Sequence, residues 1–354
     1  MKIVVTGASG NLGSAIVPHL VAAGHEVVGV ARRPVDDHGD VRWRSVDISV
    51  DPLDDVLRGA DAVVHLAWLV RPSHRPVTLW RTNVVGTRRV LEAAVRHDVG
   101  TFVHASSIGA YRAGSKEHPV DESWPTDGVP TSSYSWQKAY VERMLDAVEA
   151  VGPMRCVRVR PTLVLQRSAG SEARRLFLGR AVPAPVIPVG PTVALLRRSP
   201  LVFQVVHADD VASAIVRILG TGARGAFNLA SDPPLGSPSA LSGPTARAAE
   251  LAVRALWSAR VVPADPGWVD LLAAVPLLDP RRARDELGWR PTHAPEDVVR
   301  EALEGVRSGA GAPTPPLRPW GAPDPTTAPG GLEATGDHTS LPPERSSGGS
   351  SSAR

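Results

Sequence analysis

The stretch VVTGASGNLGSAIV, residues 4–17, carries a β-branched apolar run through Gly7, Gly10 and Gly13 into an amphipathic segment. A strand that feeds a helix through so short a turn needs backbone conformations and close approaches that glycine tolerates best. Outward from this turn, apolar runs alternate with longer amphipathic stretches. The pattern predicts strands at 2–6, 26–31, 41–47, 62–66, 101–106 and 154–161, and helices at 11–23, 76–97 and 134–150. Alternation of this kind implies an α/β fold, a doubly wound parallel sheet covered by helices on both faces.

Glycines in a strand–turn–helix context let backbone approach a diphosphate, and the helix start favours an anion. The turn therefore reads as a Rossmann-type dinucleotide site, with Gly7, Gly10 and Gly13 at the phosphates and the amides of Asn11 and Leu12 facing them. After the second strand an NAD site usually places an acid on the ribose. Here the chain reads GVARRP, with Ala31 at that position and Arg32 and Arg33 behind it. Two guanidiniums suit a 2′-phosphate, so NADP is favoured over NAD. The other reading is two solvated arginines, with NAD still accepted. Asp47 in SVDIS is placed to accept from an adenine amino group, or is a turn acid.

Lysine is scarce. Of 39 basic residues only three are lysine, and there are only three tyrosines, yet Tyr134 and Lys138 stand four apart in YSWQK. Residues four apart share a helix face. A compact ammonium beside a phenol favours the phenolate, which suits proton transfer to or from a substrate oxygen. FVHASSIGAY adds Ser106 and Ser107 where a strand leaves the sheet, on the side where open α/β sheets bind ligands. The three groups together suit hydride transfer at a carbinol carbon. A plain exposed helix pair and capping serines are the alternative.

The remaining composition narrows the classes. Net charge is +3, from arginines dispersed among acids, so nucleic-acid binding is not expected. The lone cysteine, Cys156, lies in an apolar run and reads as a buried thiol, with no disulfide framework. No apolar run reaches the ~20 residues of a membrane helix. With MKIVVTGASG at the start and no leader pattern, the expectation is a cytoplasmic protein that makes no membrane contact. No metal is expected: His65, His104 and His207 sit in or beside predicted strands and read as core, and no histidine–acid group has ligand spacing.

TGASGNLG, HLAW, TNVVGT, HASS, YSWQK, RPTLVL, VHADDVA and DELGW occur in this order over about residues 1–308. In this the chain resembles the extended short-chain dehydrogenase/reductases, and within them the NAD-dependent epimerase/dehydratase family. The resemblance implies a cofactor domain at 1–161, rejoined by 203–231. It also implies a smaller substrate domain from 162–202 and 232–308. It assigns Ser107, Tyr134 and Lys138 to catalysis, with Ser107 rather than Ser106 at the hydroxyl position. Asp47 and Ile48 would contact adenine, and Leu66 and Ala67 would line the cleft. Asn83 would support the active-site helix, and Pro161 to Leu163 would border the nicotinamide. A homodimer through the two long helices is implied as well. Phe203 stands where an arginine commonly meets a nucleotide diphosphate, and Gln166 where a glycine is usual. Both departures point away from a nucleotide sugar, although Arg174, Arg175, Arg197 and Arg198 remain for that task. The expected activity is carbonyl–alcohol interconversion on a small organic substrate. The alternatives are a sugar or nucleotide-sugar epimerase or dehydratase with internally recycled cofactor, and a non-catalytic redox sensor. Beyond Gly309 the chain is rich in Pro, Gly, Ser and Thr, so 309–354 reads as a disordered tail.

Overall fold

The computed structural model describes residues 1–33, 35, 39–70, 76–178, 188–199, 202–236 and 266–322. Seven parallel strands form one sheet in the order β3-β2-β1-β4-β5-β6-β9. They are β1 Lys2–Thr6, β2 Glu26–Ala31, β3 Val41–Ser45, β4 Ala62–His65, β5 Thr101–Ala105, β6 Arg155–Pro161 and, last in sequence, β9 Gly225–Leu229. Strand order reverses between β1 and β4, whose register pairs Thr6 with His65. That reversal opens a crevice at the carboxyl ends of both strands.

Burial follows from the strand sequences. The middle of β1 and the whole of β4 are fully apolar or buried, as expected for strands covered on both faces. On one face α1 (Asn11–Ala22) packs through Ile16 and Leu20 beside Val211, Ile215 and Ile218 of the helix Ala208–Gly220. The other face is covered by α2 (Asp54–Leu57), the long segment at 76–96 and α5 (Ser133–Val151). Val90, Leu91, Ala94, Val141 and Leu145 enter the core there. Each such side chain contributes about 1.5–3 kcal/mol when fully buried. Cys156 is fully buried in this layer, where burial pushes its thiol up to about 11.

The segment at 76–96 is helical throughout, but not as one α-helix. α3 (Pro76–Trp80) passes through a π-turn at Arg81–Val85 into α4 (Gly86–Arg96). One residue in that turn, Asn83, is 1% exposed and faces inward. A π-bulge re-aims side chains in this way and is frequent at functional sites.

After β6 the chain forms a second, two-stranded parallel sheet from β7 (Leu163–Leu165) and β8 (Val205–His207). Between them lie α6 (Gly170–Ala173) and α7 (Val189–Arg197). The helix after β8 is α8 (Ala208–Gly220), which leads into β9, so this stretch rejoins the main sheet. Three helices follow: α9 (Pro266–Ala274), α10 (Arg281–Leu287) and α11 (Pro295–Ser308). The helix expected from Ala240 to Trp257 lies outside the described residues.

Residues 309–322, the first part of the stretch read as a disordered tail, are among the described residues. Residues 309–320 pack onto the body, and Met1–Trp320 forms one compact unit. Leu317 is fully buried, the Trp320 amide donates to Ser171 Oγ at 2.8 Å, and the Arg174 guanidinium lies 3.7 Å from the Trp320 ring centroid. One buried leucine and one cation–π contact hold a Pro- and Gly-rich strap that overall composition assigns to disorder. No helix among the described residues is long and apolar enough to cross a membrane.

Candidate active site

The glycine turn ends β1 at the strand-order reversal. Gly7 has φ +70°, and a Cβ there would lie 2.7 Å from the Ala67 amide nitrogen. At Gly13 a Cβ would coincide with the Ala8 carbonyl. Gly10 caps α1 without any side-chain hydrogen bond, so the first-turn amides of Asn11, Leu12 and Gly13 meet no side-chain acceptor from the cap. The turn thus presents bare backbone donors beside Leu66 and Ala67, the residues that leave β4.

The catalytic candidates converge at the neighbouring strand end. Ser107 follows β5 and accepts from the Gly109 amide at 2.9 Å. Tyr134 and Lys138 project from the first turns of α5, which Ser132 caps by accepting from the Ser135 amide. The Ser107 hydroxyl and the Tyr134 ring meet beside Gly109, close enough for Ser107 to draw the phenol's pKa downward. Gly109 makes room for that ring, since a Cβ there would lie 2.9 Å from Tyr134 Cε1. Lys138 Nζ donates to the Ala105 carbonyl at 2.6 Å and lies 5.8 Å from the Tyr134 ring centroid. Serine, tyrosine and lysine therefore meet across one helix start and one strand end, as the spacing suggests.

Their ionisation is set mainly by burial. Desolvation pushes Tyr134 up to about 12, against the opposing influence of Ser107. Desolvation also holds Lys138 well below the ordinary lysine value, with Glu142 acting in the other direction. Glu142 lies one turn beyond Lys138 and is 1% exposed. Arg160 grips it twice, at 2.6 and 2.9 Å, and Ser106 donates to it at 2.5 Å. Arg160 also donates to the Tyr111 hydroxyl at 2.8 Å, which donates onward to Asn228 Oδ1 at 2.7 Å. Ser106 thus belongs to a buried ionic network beneath the site, while Ser107 faces the phenol.

Asn83 ties the cleft to α5. It accepts from the Leu69 amide at 2.7 Å and donates to Gln137 Oε1 at 2.9 Å. His65 is held neutral in this layer. Thr87 gives its own proton to the Asn83 carbonyl (2.5 Å), so it accepts from His65 Nε2 at 2.8 Å, and His65 Nδ1 accepts from Thr6 at 2.7 Å. Burial pushes His65 down to about 3 and holds His104 well below its usual value.

Arg32 is exposed directly after β2, with its carbonyl accepting from Ser45 Oγ at 3.3 Å. Asp47 Oδ1 accepts from the Ser49 amide and hydroxyl at 2.9 and 2.7 Å and so shapes its own turn. Ile48 is 4% exposed against the α4 start, where a Cβ on Gly86 would lie 2.9 Å from Ile48 Cγ1. Pro161 is buried at the end of β6, and Leu163 is exposed at the start of β7.

The model of the NAD dependent epimerase/dehydratase family matches residues 3–230. The chain belongs to that family. The chain is 30% identical over 318 residues to an uncharacterised protein of Mycobacterium tuberculosis, covering 88% of the chain but 31% of that relative's length. It is 28% identical over 335 residues to a UDP-glucose 4-epimerase of Mycolicibacterium smegmatis, covering 87% of the chain and 99% of that relative. The structure of the Thermus thermophilus UDP-glucose 4-epimerase complex with NAD superposes with a TM-score of 0.63 at 22% identity, over 88% of this chain and all of that one.

Several features at the family site were not read from sequence. Gln166, in place of the usual glycine, donates to the Asn11 carbonyl at 2.6 Å and to Asn11 Oδ1 at 2.7 Å, tying the end of β7 to the first turn of α1. The strap reaches the same turn, where Thr314 donates to the Ser9 carbonyl at 2.8 Å. Trp68 follows the cleft pair Leu66–Ala67 and lays its ring 3.6 Å from Lys138 Nζ. Trp268, from α9, stacks 4.7 Å from the Tyr134 ring. Trp68 had a sequence signal in its position three residues past β4, and Gln166 in its departure from glycine; their partners, and Thr314 and Trp268, were not marked by any motif.

The fold brings together one histidine–acid grouping among the described residues that sequence spacing does not show. His207, Asp209 and His293 bring one ligand-type atom each within 4.8 Å of one another, across a sequence gap that spacing rules do not cover. His207 Nδ1 accepts from the Asp209 amide at 3.1 Å and caps α8. That bond places the ring proton on Nε2, which faces Glu301 Oε2 at 3.4 Å, so no lone pair of this ring remains for an ion.

Proposed function

We propose that the chain is an NAD(P)-dependent oxidoreductase of the extended short-chain type, which interconverts a carbonyl and an alcohol on a small organic substrate. The observation that carries this is the meeting of Ser107, Tyr134 and Lys138 beside the strand-order reversal. The cradle fits the cofactor: a Cβ on Gly7 or Gly13 would fill it, and the amides of Asn11, Leu12 and Gly13 have no side-chain cap. Gly7, Gly10 and Gly13 would hold the diphosphate, Asp47 and Ile48 the adenine, and Leu66, Ala67, Asn83, Pro161 and Leu163 the nicotinamide half. When bound, NAD(P) supplies or accepts the hydride.

The chain's own residues are set, at neutral pH, for the proton-donating step. A phenol with its pKa near 12 is protonated at neutral pH, which is the form that gives a proton to a carbonyl oxygen. Ser107 orients that oxygen, and Lys138 stabilises the phenolate left behind. Because the protonated forms are the active ones for reduction, kcat/KM falls as pH rises. Lys138 is held below its usual pKa, so its loss of charge sets the alkaline limb before Tyr134 does. A reduction rate that climbs steadily between pH 7 and 10 would contradict this assignment.

Arg32, with Arg33, favours NADP by offering guanidiniums at the end of β2. Dissociation constants for NADPH and NADH are expected to reverse their order in Arg32→Asp, and an unchanged order removes the argument. A second reading rests on the near end-to-end likeness to a UDP-glucose 4-epimerase: an epimerase or dehydratase that keeps its cofactor. Mass spectrometry of nucleotide released from freshly purified, denatured protein separates the two. Stoichiometric NAD favours the second reading, whereas an empty protein that binds NADPH reversibly favours the first. A homodimer through α3 and α5 is also proposed. Trp80, Trp136 and Tyr140 cluster there with centroids 5.1–5.6 Å apart, and Trp136 and Tyr140 are 38% and 48% exposed. Trp136→Glu is expected to halve the mass seen by sedimentation equilibrium.

A further inference from the structure

Aromatic rings surround the phenol that the proposed function makes the proton donor. Trp68 meets Tyr134 edge-on, with centroids 6.1 Å apart and planes at 79°. Trp268 lies 4.7 Å away at 38°, and Phe177 meets Trp268 at 5.7 Å and 83°. Ile108, Val129, Leu271 and Val275 complete the same apolar cluster. Offset and edge-to-face arrangements at these separations are those that aromatic groups adopt with one another, and all four rings keep part of their surface exposed, where a further ring can stack. Trp68 Nε1 is buried and meets no acceptor among the described residues, which leaves an indole donor for a ligand oxygen.

Three of the arginines that a nucleotide diphosphate could use have partners of their own. Phe203 is 9% exposed and packs with Val205 and Leu235, in a cluster separate from the one around Tyr134. Arg174 lies on Trp320, and Arg175 donates to the carbonyls of Pro316 and Arg318 at 2.8 and 2.9 Å. Arg197 pairs with Glu296 at 3.0 Å. Two charges on a diphosphate call for a guanidinium or ammonium close by. Three of the four arginines that sequence offered for it instead hold the strap or α11.

We infer that the substrate is an uncharged aromatic or conjugated carbonyl compound, whose ring lies against the row Trp68–Tyr134–Trp268–Phe177. This rests on the oxidoreductase reading and goes beyond it by naming the substrate class. In the step, the C=O π bond breaks as its carbon gains hydride from a reduced nicotinamide. Its oxygen takes the Tyr134 proton, leaving the alcohol and the oxidised nicotinamide. Trp68 and Trp268 act as specificity residues through ring contact.

The test uses the full chain with NADPH, and trans-cinnamaldehyde and UDP-glucose as probes. Calorimetric titration of the Tyr134→Phe protein separates binding from turnover. Binding of cinnamaldehyde, with UDP-glucose at least tenfold weaker, is the expected result. In the chain with Tyr134 intact, Trp268→Ala is expected to raise KM for cinnamaldehyde tenfold or more with a smaller change in kcat, and Trp268→Phe to restore most of it. Binding of UDP-glucose in preference to cinnamaldehyde, or binding of neither, overturns the substrate class and leaves the oxidoreductase reading standing. Cinnamaldehyde that binds but is not reduced by the parent protein with NADPH overturns the oxidoreductase reading itself, and reduction at an unchanged rate in Tyr134→Phe overturns Tyr134 as the proton donor.

Discussion

Gly13 and Gly305 are both positions where a neighbour's backbone occupies the space a side chain would need, but the neighbours come from different distances. At Gly13 the obstructing atom is the Ala8 carbonyl, five residues back in the same turn. At Gly305, in α11, it is the Arg167 carbonyl, and a Cβ on Gly170 would in turn coincide with the Gly305 backbone. The first contact is local, so a short motif specifies it. The second joins the region after β7 to a helix 135 residues later, and no motif marks either partner. The obstruction at Gly13 is thus set by short-range geometry, and the one at Gly305 by long-range docking.

The largest expected effect sharpens that division. If chemistry belongs to the cofactor half, Tyr134→Phe removes a proton donor without disturbing the docking. Turnover is expected to fall by ~10²–10⁴, the usual contribution of positioned acid–base catalysis. The thermal midpoint and NADPH affinity are expected to stay near those of the parent. A variant that loses both activity and stability would tie the phenol to the packing of Trp268 rather than to proton transfer.

A smaller effect tests the two glycines directly. Overpacking a tight backbone contact costs about 1–3 kcal/mol. Gly305→Val is expected to lower the free energy of unfolding, read from denaturant titration, by that amount while the cofactor still binds. Gly13→Val is expected to abolish cofactor binding as well as stability, because the turn it distorts is the phosphate cradle. Equal loss of NADPH binding in both variants would break the comparison, since the long-range contact would then also shape the cradle.

The same division explains what the sequence made legible. β1 and β2 end where the alternation places them, because a strand buried on both faces has one continuous apolar run. The nearness of Tyr134 and Lys138 was legible because residues four apart share a helix face, whereas the strand end offered Ser106 and Ser107 alike and only the family resemblance chose Ser107. The π-turn at Arg81–Val85 was not, because its effect on Asn83 depends on the partner Gln137, 54 residues away. Neither was the strap: its composition is that of a loop, and only the site formed by Ser171, Arg174 and Ser9 gives it a place to pack. Trp268 reaches Tyr134 only because the chain folds back over 134 residues, a relation no periodicity encodes.

Lys116 offers the smallest and most selective test, because it joins the two regions. It extends from the loop after β5, and its Nζ donates to the Leu272 carbonyl of α9 at 3.1 Å. Burial pushes its pKa down to about 8 from 10.5. The folded protein therefore binds this proton less tightly than the unfolded chain, and below pH 8 the charged side chain costs stability in full. Between pH 8 and 10.5 the unfolded state holds more of the proton, so stability rises with pH. Against a Lys116→Met reference, which cancels other titrations, the parent is expected to gain on the order of 1 kcal/mol over that interval, after screening of a partly exposed ammonium is allowed for. A difference that stays flat from pH 7 to 10 would mean the ammonium reaches solvent. Whatever Lys116 then contributes to docking α9 would come through its hydrogen bond to Leu272 without a desolvation cost, beside the apolar contacts of Leu271 and Val275.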